Sequence, residues 1–139
     1  MEAIYLLGAN RCTAAFNRVD GSLFGIDLRS DPWFATTTRF NQVVNNRILN
    51  SRYGIALQEH RMNPATGLGP EKPVQQNNFS YNEIQATVGL YFLDQAGTLR
   101  NFIRDNNFTR NDFRQCKTPL QENVLGMVKK NYFFMNLGL

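Results

Sequence analysis

Cysteine and histidine are nearly absent from this chain. Its 139 residues hold two cysteines, Cys12 and Cys116, and one histidine, His60. Two distant thiols cannot supply the dense disulfide framework of a small secreted domain, so the expected setting is reducing, with both thiols free. A lone histidine with no cysteine or carboxylate at ligand spacing gives no zinc-site pattern. Long apolar runs are missing as well: nothing approaches the ~18 apolar residues of a membrane-spanning helix. The first residues carry no basic segment followed by an apolar stretch, which argues against a secretory signal. An intracellular or virion location is expected, with no membrane partner. No glycine loop is placed to cradle phosphate, since Gly67 and Gly69 run into Pro70 rather than a helix start. No cofactor is implied.

What the chain has in excess is asparagine and, locally, positive charge. There are seventeen Asn, and Arg outnumbers Lys eleven to four. Asn bonds readily to exposed backbone in turns and caps, so this load predicts many turns and a polar, weakly charged surface. From Met1 to Leu99 eight bases meet eight acids; from Arg100 to Lys130 seven bases meet three acids, and the whole net charge of +4 lies there. A basic C-terminal third favours phosphates or an acidic protein neighbour.

The length suits a single domain over residues 1–139, large enough for a core without staples. Ala3 to Leu7 reads as a buried strand. Asp20-Gly21 between β-compatible runs signals a hairpin, with Phe24, Ile26 and Leu28 alternating onto one face. Phe40, Val43, Val44 and Ile48 recur at helical spacing and predict a helix over Thr38 to Ser51. Ile55 to Leu57 suggests a short strand, and the Pro/Gly-rich stretch Asn63 to Pro73 a loop. Ser80 and Glu83 form a capping-box pair before Ile84, Val88, Tyr91 and Phe92, with a strand through Thr87 to Leu93 as the competing reading. Leu99, Phe102 and Ile103 suit a short helix ending at Asn106-Asn107, and a Thr109–Asp112 cap and the Thr118-Pro119 start predict further helices. No internal repeat is evident. The expected fold class is α+β: an N-terminal β-hairpin and small antiparallel sheet with a mostly helical C-terminal half.

Within that frame, residues 98–117 have the outline of a helix-turn-helix. Arg110, Arg114 and Lys117 would share one face of its second helix, with Asn111 and Gln115 beside them and Arg104 on the preceding helix. Arg, Asn and Gln are the residue types that read guanine and adenine edges, so this element is a candidate nucleic-acid site. Tyr91-Phe92 and Tyr132-Phe133-Phe134 offer base stacking as another route. Trp33-Phe34-Ala35-Thr36-Thr37-Thr38 resembles the Ser/Thr strand of ADP-ribosyltransferases over about six residues. That resemblance would imply an NAD-using transferase, with Arg11 or Arg29 upstream and Glu83 downstream. It transfers no site, and no catalytic residue is assigned.

The C-terminal tail is apolar: Phe134, Met135, Leu137 and Leu139 are suited to docking on a neighbour. With no catalytic set and a polar, Asn-rich surface, the leading expectation is a non-enzymatic assembly or interaction protein. A small structural component of a virus or phage particle is its most concrete form. Self-assembly or a protein partner is expected, with nucleic acid as a further partner.

Overall fold

The computed structural model describes residues 1–31, 37–60, 62–63, 67–68, 72–94 and 103–139. Within them the chain winds as a stack of coils whose strands pair in parallel with the coil above and the coil below. The long sheet contains Glu2–Leu7, Phe24–Ser30, Arg47–Glu59, Glu83–Asp94 and Thr118–Glu122 in that spatial order, and Arg18–Asp20 also pairs with the start of Arg47–Glu59. A narrow sheet of Thr38–Arg39, Val74–Gln75 and Ile103–Arg104 forms one side. A third sheet stacks Thr13–Ala15, Gln42–Val44, Asn78–Ser80, Asn107–Thr109 and Tyr132–Phe134. The one antiparallel pair among the described residues is Met62–Asn63 with Gly67–Leu68. This is a β-solenoid, in which each coil buries its apolar side only against its neighbours.

The expected antiparallel sheet and helical C-terminal half are therefore overturned. The only helical element among the described residues is the short 3-10 turn Val128–Lys130. The expected Thr38–Ser51 helix is three strand segments: Val43 and Ile48, which mimicked helical spacing, are buried from two different strands on either side of a corner. The hairpin at Asp20-Gly21 is a corner too. Gly21 has φ +71°, but the strands on either side both pair in parallel with Arg47–Glu59. The strand reading of Thr87 to Leu93 corresponds to Glu83–Asp94. Most of the Trp33 to Thr38 run and the start of the helix expected to end at Asn106-Asn107 lie outside the described residues; the described end of that helix is instead the strand Ile103–Arg104 and a left-handed corner at Asp105.

A repeat does exist, and it is made of asparagine. Each coil carries a six-residue arc bounded by two polar positions: Cys12–Asn17, Asn41–Asn46, Asn77–Asn82, Asn106–Asn111 and Asn131–Asn136. The third residue of each arc points to the core: Ala14, Val43, Phe79 and Phe108 are buried and Phe133 packs against them. Phe79 and Phe108 stack at 4.6 Å, and Phe108 and Phe133 at 5.0 Å. The arc is bent by left-handed backbone just before its polar positions, at Phe40, Gln76 and Asp105 and at Phe16, Asn45, Tyr81, Arg110 and Met135. Each such non-glycine residue costs about 1–2 kcal/mol and leaves corner amides outside the strand ladders.

The Asn side chains repair this. Asn82 donates from its backbone N and from Nδ2 to Asn111 Oδ1 at 3.0 and 2.8 Å, and from Nδ2 to Val43 O at 2.8 Å. Its own Oδ1 accepts from the backbone N and Nδ2 of Asn46 at 3.0 and 2.9 Å. The same pattern joins Asn41, Asn77, Asn106 and Asn131, so two buried ladders run along the stack. A polar network of this kind, with the ladder amides inside the stack bonded to one another, fixes coil register where an apolar corner would not. Ile26, Leu28, Ile55, Leu57, Leu90 and Phe92 fill the core from the long sheet. At its bulged end, Gly54 lets the coils approach: a Cβ there would collide with Ile84 and lie 2.7 Å from the Gly89 carbonyl oxygen.

Candidate functional site

The C-terminal coil gathers the four apolar residues of the tail. Phe134, Met135, Leu137 and Leu139 are 61, 59, 48 and 47% exposed. Beside them a groove of about 510 Å³ is lined by Pro119, Leu120, Val128, Phe133, Gly138 and Leu139. Among the described residues Thr118–Glu122 pairs only with Glu83–Asp94, and Tyr132–Phe134 only with Asn107–Thr109. The outer edges of both strands therefore present unpaired backbone donors and acceptors next to apolar side chains. Such an edge is a template for another strand.

The candidate nucleic-acid residues do not come together as the sequence suggested, because the helix that would carry them is absent. Arg104 is exposed at the end of Ile103–Arg104, its Nε donating to Gln75 Oε1 at 3.3 Å. Arg110 sits on a left-handed corner, where Nη1 donates to the Tyr81 hydroxyl at 2.8 Å and the guanidinium lies over the Tyr81 ring. Asn111 is fully buried in the ladder, donating to Asn136 Oδ1 and to Phe79 O, and has nothing left with which to read a base. Arg114 is folded onto Asp112 at 2.7 Å; that contact holds the Asp112 carboxyl below its usual range. Gln115 and Lys117 line a separate groove of about 310 Å³ with Asn50, Ser51, Gln85, Ala86 and Thr87.

A polar cluster that sequence reasoning missed joins the first three coils. Asp27 is fully buried on the side of its strand opposite the core residues Ile26 and Leu28. Its carboxylate accepts from Arg29 Nη2 at 2.7 Å and from Gln58 Nε2 at 2.8 Å. Gln58 Oε1 lies 3.2 Å from His60 Nε2, while Arg29 also reaches Glu2 at 3.4 Å and stacks over Tyr5. Burial, against the pull of Arg29 and Gln58, raises Asp27 to about 6. Burial, then the nearby Arg29 charge, lowers His60. The cluster is visible only once the parallel register sets Asp27 beside Ala56 and Arg29 beside Gln58. Along the same sheet Phe24, Tyr53 and Tyr91 stack at 5.0 and 4.6 Å.

The residues suggested by the transferase resemblance are spread out. Arg29 lies in the row of Gln58 and Leu93, ten residues along the strand from Glu83, which instead pairs with Arg47 at 3.2 Å. Both cysteines are free, and burial pushes the Cys116 thiol up, away from a reactive thiolate. Among the described residues there is no cluster of metal-ligating side chains, and no helix long and apolar enough to cross a membrane. No family model, curated protein or solved structure matches the chain.

Proposed function

We propose that this chain is a non-enzymatic assembly module, a small structural component of a particle such as that of a virus or phage. The observation that carries the reading is the outer side of the Thr118–Leu139 coil, where open strand edges border an apolar groove and four exposed apolar side chains. Fully burying one side chain of this size contributes about 1.5–3 kcal/mol, so a partner covering several gains enough to offset the cost of association. A parallel strand supplied by the partner would add backbone hydrogen bonds to the same joint. The net charge of +4, which lies in residues 100–130, suits the C-terminal coils to an acidic or nucleic-acid neighbour.

Sedimentation velocity over a hundredfold range of concentration tests the reading. The parent chain is expected to form oligomers as concentration rises. Phe134→Ser combined with Leu139→Ser should leave it monomeric with its circular dichroism spectrum unchanged. A parent chain that stays monomeric throughout would overturn the proposal.

A further inference from the structure

The two asparagine ladders end differently, and the difference names the partner. The Asn41–Asn77–Asn106–Asn131 ladder is closed at its C-terminal end. Asn131 donates its backbone N–H to Val128 O at 3.0 Å and its Nδ2 hydrogens to Ile103 O and Met127 O at 2.9 and 3.1 Å. At the other end the ladder position is Cys12, whose backbone N donates to Asn41 Oδ1 but whose thiol is no amide acceptor. The Asn17–Asn46–Asn82–Asn111–Asn136 ladder is open at both ends. Asn136 Nδ2 donates to Phe108 O at 2.8 Å; its backbone N–H and second Nδ2 hydrogen have no partner among the described residues. Asn17 donates from N and Nδ2 to Asn46 Oδ1, and its own Oδ1 accepts nothing among them. Inside the stack those are the groups that meet: the N–H and Nδ2 of one Asn on the Oδ1 of the next.

We infer that the partner of the C-terminal coil is a second copy of this chain, stacked head to tail so that Asn136 of one copy donates to Asn17 Oδ1 of the other. The inference rests on the assembly reading above and adds to it the partner and its polarity. One register satisfies the whole joint. Continuing the existing rows sets Leu120 against Ile4 in the long sheet, and Tyr132, Phe133 and Phe134 against Thr13, Ala14 and Ala15 in the third sheet. The same offset brings Asn136 onto Asn17. Ile4 and Leu6 at one end, and Leu120, Val128 and Phe133 at the other, are the half-buried core residues that such a joint would finish covering. The closed ladder makes no demand on the joint, so Cys12 opposite Asn131 leaves no amide orphaned. A head-to-tail contact of one surface with a different one does not close on itself, so it propagates as a filament. With coils about 4.8 Å apart, the five arcs would give an axial repeat of roughly 24 Å.

Single-end variants test the polarity. Ile4→Lys puts a charge on the first coil and leaves the last intact; Leu139→Lys does the reverse. Each alone is expected to sediment as a monomer, and an equimolar mixture to form a one-to-one dimer and nothing larger. Asn136→Ala should weaken association of the parent about tenfold without changing its direction. If either lysine variant fails to fold, Leu6→Lys and Phe134→Lys replace them at the same ends. An Ile4→Lys variant that assembles as well as the parent would overturn head-to-tail stacking while leaving the C-terminal coil as an interface. A parent chain monomeric at every concentration would overturn both readings.

Discussion

Two corners of the same coil obey opposite rules. The arc between the paired polar positions is six residues long in every coil, from Cys12–Asn17 to Asn131–Asn136. At the far end of the long sheet, Ser30, Glu59 and Asp94 are separated in sequence from Thr38, Val74 and Ile103 by seven, fourteen and eight residues, and no two of these spacings are the same. The invariant corner is the one whose backbone is left-handed and whose amides are bonded through the ladder; adding a residue there would unpair every bond at once. The strand ends Ser30, Glu59 and Asp94 that bound the variable corner are already paired to one another, and added chain length between paired ends costs only closure entropy, about 0.6 kcal/mol per doubling. Length is thus conserved where buried polar groups depend on it and free where they do not.

Inserting one alanine between Phe79 and Ser80 should break this contrast most severely. It would put either the Phe79 ring or Asn82 out of register, and cooperative thermal unfolding should vanish from the circular dichroism melt. Asn82→Ala comes next: it leaves the Asn46 amide and the Asn111 oxygen without their partner in a buried site. The expected loss is about 3 kcal/mol or more in urea unfolding. Asp27 has a comparable but pH-dependent effect. Its pKa rises on folding from 3.8 to about 6, so the stability it contributes is present below about pH 4 and is lost as pH rises through 6. The difference is of the order of 2–3 kcal/mol. Asp27→Asn should flatten that slope. His60 works the other way: its lowered pKa contributes stability at neutral pH that is lost as the medium becomes acid. Smallest of all, two glycines inserted between Ala96 and Gly97, in the variable spacing between Glu83–Asp94 and Ile103–Arg104, should cost under about 1 kcal/mol. A larger loss there would mean that the variable corner is constrained after all.

The sequence carried the apolar pattern but not its geometry. Ala3 to Leu7 and Ile55 to Leu57 read as strands because they are short apolar runs, and they lie in Glu2–Leu7 and Arg47–Glu59. The helices failed for one physical reason. A solenoid corner and a helix N-terminus both leave backbone N–H groups that a short polar side chain must accept. Ser80 with Glu83, and Thr109 with Asp112, therefore look like caps, although each pair straddles a ladder residue, Asn82 or Asn111. The apolar spacing that supported helices came from core residues on successive sides of one coil. The asparagines were legible as turn formers; their spacing of five within each arc was the unread signal. Phe134, Met135, Leu137 and Leu139 needed no fold to stand out, since an apolar tail is local information. Asp27, Gln58 and His60 meet only through parallel register, which no local pattern encodes.

A ladder of identical amides carries no address. Slide one coil onto the wrong neighbour and every asparagine still finds an asparagine, so the bonds that hold the stack cannot specify its order. That information lies elsewhere. Successive ladder residues are 29, 36, 29 and 25 positions apart along the Asn17 to Asn136 series, and a chain that skipped or repeated a coil would have to misplace loops of unequal length. The irregular spacing that hides the repeat is what keeps its copies from being confused with one another.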